Sequence, residues 1–183
     1  LKKELVKQSV YSVYQNIDKP MVPVLVDAEL KGVEVDKPQL RQLSDFFEKK
    51  LRALENEIFT IVGVKFNIAS PKQLSEILFE KLKLPHGKKN KSGGFQTGAD
   101  ILEDLSSGGF EVASHLLEWR KISKLKSTYS DSLVSHINHS TGRVHTSFNL
   151  AGTSTGRLSS SDPNLQNIPI RDAEGKKIRE AFI

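Results

Sequence analysis

The 183-residue sequence contains no cysteine, one tryptophan and one methionine. Without cysteine, the protein has no disulfide framework, no thiolate nucleophile and no cysteine-ligated metal site. No apolar run approaches the ~20 residues that a membrane-spanning helix needs, and no signal peptide is recognisable. These absences fit a protein of the reducing cytoplasm that has no membrane partner.

The composition is that of a globular chain with a well-hydrated surface, since 37% of the residues are hydrophobic and 27% are charged. The length allows one domain or two small subdomains with a real core. The net charge of +5 favours a polyanionic partner only slightly, because many basic proteins bind nothing acidic. The chain begins at Leu1 and stops on the apolar pair Phe182–Ile183, and we expect it to be an excised piece of a longer polypeptide.

Two segments carry apolar residues at the three- and four-residue spacing of an amphipathic helix. The first begins at Asp36 and Pro38 and ends before Gly63, a residue type that commonly terminates helices. The second runs from Val112 to Leu133. We therefore predict two long helices that form a hairpin. Their apolar positions are Leu40, Leu43, Phe47, Leu51, Leu54, Ile58 and Ile61 in the first, and Val112, Leu116, Trp119, Ile122, Leu125, Tyr129 and Leu133 in the second.

Shorter elements lie between and after these helices. Residues 70–73, Ser-Pro-Lys-Gln, predict a capping box with proline at the first helical position. Residues 97–100, Thr-Gly-Ala-Asp, predict the cap of a short helix. Residues 144–149 alternate apolar and polar side chains, which predicts a β-strand.

A lysine-rich loop, residues 86–94, is expected at the end of the helical hairpin, because it has glycines and no apolar side chain. Its lysines Lys88, Lys89 and Lys91 have two interpretations. They bind phosphate groups, or they form an ordinary solvated loop, which is the more frequent reason for a run of charge.

A basic face is also predicted on the second long helix. Arg120, Lys124 and Ser127 follow one another at spacings of three or four residues, and Thr128 adds another hydroxyl. Such an array can follow a phosphate backbone by positioning contacts that do not read sequence. A helix surface charged for solubility explains the same residues equally well.

The stretch from Thr153 to Arg171, "TSTGRLSSSDPNLQNIPIR", concentrates small hydrogen-bond donors and acceptors without a long apolar run. Its block "TGRLSSSDPNLQNIP", followed by "GKKIREAFI", resembles the family A DNA polymerases, the DNA polymerase I group. The stretches "LVDAELKGVEVD", "KLKSTY" and "GRVHTSFN" occur in the same order as in that family. The resemblance covers about residue 20 to the end of the chain.

The resemblance implies a mainly α fold with a small β part, of the α+β class. A long antiparallel helical hairpin, the thumb, would lead into the first strands of a polymerase palm. Residues 1–19 would be a helical junction from a preceding exonuclease-like domain. Residues 20–129 would be the thumb with its palm-side base, and residues 130–183 the start of the palm, truncated before the first catalytic aspartate motif.

The resemblance implies a DNA-directed DNA polymerase of replication and repair, a monomeric nucleotidyltransferase that binds primer–template duplex and deoxynucleotides. Carboxylates of the parent would hold Mg²⁺ on the attacking and leaving oxygens. The family's Asp-Tyr-Ser motif does not occur here, and Tyr129-Ser130-Asp131 has a different order. We therefore expect this segment to bind no metal and to be inactive alone. Asp162, which precedes a proline, is expected to support a turn.

A polymerase must accept all four base pairs and still detect a wrong one. In the minor groove, purine N3 and pyrimidine O2 are acceptors common to every correct pair. By the resemblance, Arg157 is a donor to these acceptors, and Gly156 lets the backbone approach closely. Asn164 has an equally good alternative, which is to satisfy the backbone of its own loop.

The predicted DNA-contacting residues are Arg157, Gln166, Asn167, Asn164, Arg171, Lys124, Arg120, Ser127, Thr128, Thr97, Ser159, Ser160, Lys88, Lys89 and Lys91. Two other functional classes remain open beside the polymerase segment. One is a non-catalytic DNA-binding module related to polymerases, and the other is a helical scaffold with a basic surface.

Overall fold

A computed structural model of the chain describes residues 1–85 and 95–183. The described residues are mainly helical and include short antiparallel strands, which confirms the predicted α+β class. They form two compact units, one made of Leu1–Leu43 with Thr128–Ile183 and the other of Ser44–Ser127. No helix in the described part of the chain combines the length and the apolar character needed to cross a membrane.

Nine α-helical segments and four strands follow one another along the described residues. The helices are α1 (Lys2–Lys7), α2 (Tyr11–Val13), α3 (Lys19–Lys31), α4 (Lys37–Val62), α5 (Pro71–Ser75), α6 (Ala99–Ser107), α7 (Glu111–Leu125), α8 (Ser132–Ser135) and α9 (Ala173–Arg179). The strands are β1 (Val33–Glu34), β2 (Arg143–Val144), β3 (Ser147–Asn149) and β4 (Ser159–Ser161). Turns of π-helix occupy Tyr14–Asp18, Glu76–Lys81 and Lys126–Asp131.

The unit of residues 44–127 is built on the predicted pair of long helices. Lys126 lies 3.7 Å from Glu48 and His115 lies 3.3 Å from Glu57, so later residues of α4 meet earlier residues of the second helix. The two helices are therefore antiparallel, as predicted. A core formed by the apolar stripes and the intervening short helices contains Ile58, Val62, Ile68, Leu74, Leu78, Phe79, Leu84, Leu102, Leu105, Val112, Ala113 and Leu116.

The ends of α4 agree with the sequence prediction. The carboxylate of Asp36 accepts a hydrogen bond of 2.8 Å from the backbone N–H of Gln39 and so caps the helix. At the other end, Gly63 has a φ of 76°, and its N–H donates to the carbonyl of Phe59 at 2.8 Å. A positive φ at this position is the reason that glycine terminates the helix.

The N-terminal caps of the two short helices α5 and α6 differ from the predicted ones. Ser70 accepts from the N–H of Gln73 at 3.4 Å, as a capping box requires. The Gln73 side chain, however, accepts from the N–H of Asn67 at 2.7 Å, so the reciprocal half of the box is absent. At α6, the N-cap is Gly98, and no side-chain hydrogen bond caps the helix. The hydrogen-bond partners at these two helix starts depend on the shape of the preceding loop. The spacing of residue types along the sequence does not determine that shape.

The unit that contains the chain ends holds two small antiparallel ribbons. In the first, β1 pairs with β2, with Val33 opposite Val144. In the second, β3 pairs with β4, with Ser147 opposite Ser161 and Asn149 opposite Ser159. The ribbon β3–β4 forms a hairpin whose loop, residues 150–158, belongs to the stretch that resembles the polymerases.

The single strand predicted over residues 144–149 is interrupted between β2 and β3. Here the His145 ring lies 2.8 Å from the Glu29 carbonyl oxygen, and the Thr146 hydroxyl donates to the Ser161 carbonyl oxygen at 2.9 Å. The side chains at the break are therefore held by α3 and by the last residue of β4. The residue types alternate along residues 144–149 as in a strand, but these distant partners divide it into β2 and β3.

Candidate nucleic-acid interface

Predicted interface residues occur in both units, and each unit contributes a local arrangement. In the unit of residues 44–127, the basic face lies on α7 and the turn that follows it. In the other unit, the predicted donors lie on the β3–β4 hairpin and on residues 162–171. The lysines Lys88, Lys89 and Lys91 lie outside the described residues.

The spacing along α7 and the π-helical turn after it places Arg120, Lys124 and Ser127 beside one another. Together they line an open cavity of about 290 Å³. Lys124 and Ser127 are exposed, while Arg120 is half-buried. The remaining lining residues are Ile68, Ala69, Trp119 and Ser123. The arrangement offers an ammonium group, a guanidinium group and hydroxyls beside a few apolar side chains, which is chemistry suited to a phosphate group.

Arg120 is anchored inside this unit. Its Nη1 donates to the backbone carbonyl oxygen of Thr97 at 2.6 Å. Burial lowers the pKa of the Arg120 guanidinium from its ordinary value, although a guanidinium stays charged at neutral pH. Part of its donor capacity is thus used to fix the segment before α6, and the residue also lines the cavity.

Thr97, another of the predicted contact residues, is buried. Only 8% of the residue is exposed, and its carbonyl holds Arg120. Thr128 is exposed at the start of the other unit, as a contact residue requires.

The hairpin loop presents Arg157. The residue is exposed, and the hydroxyl of Thr153 donates to its backbone carbonyl at 2.7 Å. Within residues 1–85 and 95–183, no hydrogen bond or ion pair of the Arg157 guanidinium is found. The preceding Gly156 has a φ of 72°, a conformation that side chains disfavour, and this is a structural reason for glycine beside the arginine.

A cluster of neutral hydroxyls fixes the chain after the hairpin. The hydroxyls of Thr146 and Ser160 lie 2.7 Å apart, and the Pro163 carbonyl oxygen lies 2.8 Å from the Thr146 hydroxyl and accepts from that of Ser160 at 3.3 Å. The Leu165 N–H donates to the Ser160 hydroxyl at 3.0 Å. We call Thr146 and Ser160 the hydroxyl cluster. It gives a loop without regular structure an internal support.

Ser160, one of the predicted contact residues, is buried. Only 4% of it is exposed, because strand alternation in β4 turns its side chain inward. Its hydroxyl supports the loop and does not face solvent. Ser159 is half-buried and donates to the Asn149 carbonyl at 3.4 Å, so its hydroxyl is also shared with the hairpin.

The residues after the hydroxyl cluster are exposed: Asn164, Gln166, Asn167 and Arg171. The Asn164 carboxamide oxygen accepts from the backbone N–H of Gln166 at 3.0 Å, so it satisfies its own loop, the alternative that the sequence left open. Asp162 lies at a bend with a φ of 55°, in keeping with its expected place in a turn.

Some basic residues were not singled out from the sequence. Lys176, Lys177 and Arg179 of α9 are exposed, and with Arg171 they add positive charge to this unit. The run "GKKIR" at residues 175–179 was the available signal. This run forms part of the segment that resembles the polymerases, but the resemblance implies no DNA contact for its residues.

The described residues do not fit the Mg²⁺ centre that the resemblance implies for the parent. Residues 1–85 and 95–183 contain no group of three or more histidine, aspartate or glutamate side chains that could hold a metal ion. No step of a metal-dependent reaction is therefore assigned to them.

Comparison with known proteins places the chain in a family. The model of DNA polymerase family A matches residues 37–183. The chain therefore belongs to DNA polymerase family A, which confirms the resemblance drawn from its motifs. The match includes α4, the basic face of α7, the β3–β4 hairpin and α9.

Two relatives and one solved structure give the extent of the similarity. The chain is 50% identical to DNA polymerase I of Rhizobium leguminosarum over 183 residues, all of this chain and 18% of that protein. It is 47% identical to DNA polymerase I of Geobacillus stearothermophilus over 167 residues, 91% of this chain and 19% of that protein. The chain thus spans about a fifth of the length of the curated relatives it matches.

One similar solved structure is the POL domain of Pol1 from M. smegmatis in complex with DNA primer-template and dNTP. It is 38% identical, has a TM-score of 0.90, and the match covers 100% of this chain and 32% of that chain. At this identity the likeness extends to sequence as well as fold.

Proposed function

We propose that the chain is part of a DNA-directed DNA polymerase and that it grips primer–template duplex during synthesis. Residues 20–129 would act as the thumb with its base, residues 130–183 as the start of the palm, and residues 1–19 as a junction from a preceding domain. Membership of DNA polymerase family A supports this proposal, as does the similar solved structure, which is a complex with DNA primer-template and dNTP.

The observation that carries the proposal is the exposure of Arg157, Gln166 and Asn167 on a chain segment whose backbone is internally supported. A donor that checks minor-groove acceptors must be exposed, yet its backbone must be fixed, because the acceptor positions are set by the geometry of a correct pair. The hydroxyl cluster supplies that support by hydrogen bonds to the backbone at Pro163 and Leu165.

The basic face of α7 would contact the sugar–phosphate backbone. Lys124 and Ser127 are exposed at the cavity edge, and Arg120 is held at its position by Thr97. Contacts of this type fix orientation and register and are indifferent to base sequence. The segment would therefore combine backbone grip with a sequence-independent test of pair shape.

Mg²⁺ and deoxynucleotides are proposed for the parent polypeptide. The metal would supply charge stabilisation of the attacking and leaving oxygens, and its ligands would lie outside the described residues. The parent is proposed to act as a monomer in the cytoplasm. Residues 1–183 alone should give no primer extension.

The proposal is tested with the full-length polypeptide that contains this chain. Primed template, the four deoxynucleotides and Mg²⁺ are supplied, and both duplex binding and primer extension are measured. We expect both. Binding without extension would favour the non-catalytic DNA-binding module, and the absence of salt-dependent binding would favour a scaffold with a basic surface.

Replacing Lys88, Lys89 and Lys91 with alanine should reduce the salt dependence of duplex binding. Each lost phosphate contact should lower the slope of log K against log salt by roughly 0.9, since fewer counterions are released. The measurement is duplex affinity by fluorescence anisotropy between low and moderate salt. The control is a second triple variant, Lys2, Lys3 and Lys7 of α1 to alanine, which has the same change of charge. Equal slopes for the two variants would mean that the loop lysines make no specific contact.

A further inference from the structure

Tyr129 is a buried residue that joins two parts of the polymerase-like sequence. It lies in the π-helical turn Lys126–Asp131, and only 6% of it is exposed. Its hydroxyl donates to the backbone carbonyl oxygen of Asn167. The motif "KLKSTY" is thereby joined directly to the motif "DPNLQNIP", 38 residues further along the chain.

The Asn167 carbonyl oxygen, which accepts this hydrogen bond, belongs to a segment without regular secondary structure. Residues 164–171 form neither helix nor strand, so no ladder of backbone hydrogen bonds holds them. The hydroxyl cluster acts before this point, at Pro163 and Leu165. The next fixed element is α9, where the Asp172 carboxylate accepts from the Gly175 N–H at 2.7 Å. Tyr129 holds the chain between these two supports.

The contact fixes a peptide plane, and the orientation of that plane decides where the neighbouring side chains point. The carbonyl of Asn167 belongs to the peptide that follows Asn167, and Gln166 is the preceding residue. Both side chains are exposed. Burial raises the pKa of the Tyr129 hydroxyl, which keeps it a neutral donor throughout the physiological pH range.

We propose that Tyr129 is a positioning residue, whose hydroxyl orients Gln166 and Asn167 for contact with the minor groove of the duplex. This inference rests on the proposed function. Tyr129 itself touches no DNA in this arrangement, and its effect passes through the Asn167 backbone.

Tyr129→Phe removes the hydroxyl and keeps the ring that fills the core. In the full-length polypeptide we expect it to weaken primer–template binding by about 2- to 12-fold, the range that a typical single hydrogen bond supports. Tyr11→Phe is the matched control, because it removes a hydroxyl from a half-buried tyrosine in another part of the chain. The control should leave the affinity unchanged.

A double-mutant cycle separates positioning from general loss of stability. In a background that already carries Gln166→Ala and Asn167→Ala, Tyr129→Phe should have no further effect on affinity, since the side chains it orients are gone. In a Lys124→Ala background, its full effect should persist. Equal effects of Tyr129→Phe in both backgrounds would overturn the proposal.

Hydrogen exchange of the DNA-free protein supplies a readout that does not depend on binding. Tyr129→Phe should speed exchange in a peptide covering residues 162–170 and leave a peptide from α4 unchanged. Faster exchange everywhere would mean a purely structural role and would overturn the proposal.

Different results would contradict the positioning role of Tyr129 and the minor-groove contact of Gln166 and Asn167. If Gln166→Ala with Asn167→Ala weakens duplex binding and Tyr129→Phe does not, only the positioning role is wrong. If neither change weakens binding, the minor-groove part of the proposed function is wrong as well, and the positioning role falls with it.

Discussion

Arg157→Ala in the full-length polypeptide is expected to slow nucleotide incorporation by about 5- to 150-fold, which corresponds to the roughly 1–3 kcal/mol of one good base contact. The loss should be largest when the primer-terminal pair is correct. A donor to acceptors shared by all correct pairs contributes only when the pair has the right shape. The variant should therefore lose discrimination as well as rate, and single-turnover incorporation from matched and mismatched primer ends measures both.

The stability of the Arg157→Ala protein should change little, because the residue is exposed and its guanidinium has no bonded partner among the described residues. Arg52→Ala is a matched control, since Arg52 is an exposed arginine that pairs with Glu48 along α4. It should affect neither rate nor discrimination. An equal fall in matched and mismatched rates for Arg157→Ala would contradict the sensing role, and a lower melting temperature with normal kinetics would make Arg157 structural.

Gly32→Ala should be strongly destabilising. Gly32 has φ 62° and ψ −178°, a conformation essentially restricted to glycine, and occupying it with another residue costs about 1–3 kcal/mol. An added Cβ would also lie 2.8 Å from the Val144 carbonyl oxygen and from the His145 ring. Relief of such a clash costs about a further 1–3 kcal/mol. Urea unfolding of the purified protein measures the combined loss.

Gly63→Ala separates the cost of the positive φ from the cost of the clash at the added Cβ. Gly63 also has a positive φ, 76°, but nothing lies within 4 Å of an added Cβ. Its replacement should cost only the backbone term, about 1–2 kcal/mol. If the two variants lose equal stability, the close approach of Gly32 to β2 makes no contribution of its own.

The long helices α4 and α7 could be predicted because their signals are local. The apolar spacing from Leu40 to Ile58 and the caps at Asp36 and Gly63 each depend on neighbours within one or two turns. The family resemblance then supplied the order of the elements.

The sheet elements were harder because their causes are distant. Nothing in a run of three serines predicts β4, since serine has no marked preference for strands. The strand exists because Ser159 and Ser161 pair with Asn149 and Ser147 of β3. The interruption after Val144 likewise depends on Glu29, more than a hundred residues earlier.

The candidate site shows the same division between local and distant causes. Exposure of Arg157, Gln166 and Asn167 agrees with their polarity and loop context. The inward orientation of Ser160 depends on its distant partner Thr146. Tyr129 is buried and fits the apolar spacing of the second long helix, so its sequence context predicts a core residue and not a hydrogen-bond donor to a loop. Residue type alone does not distinguish a hydroxyl that faces a ligand from one that supports a loop.

The hydroxyl cluster also determines how a salt titration of this protein should be interpreted. Thr146, Ser160 and their carbonyl and amide partners carry no net charge. Dissolved ions screen interactions between charges and leave buried neutral hydrogen bonds nearly unaffected. The shape of the loop that presents Gln166 and Asn167 should therefore be the same at low and at high ionic strength. A change of affinity with salt then reports the contacts with phosphate and not a change in the scaffold that holds them.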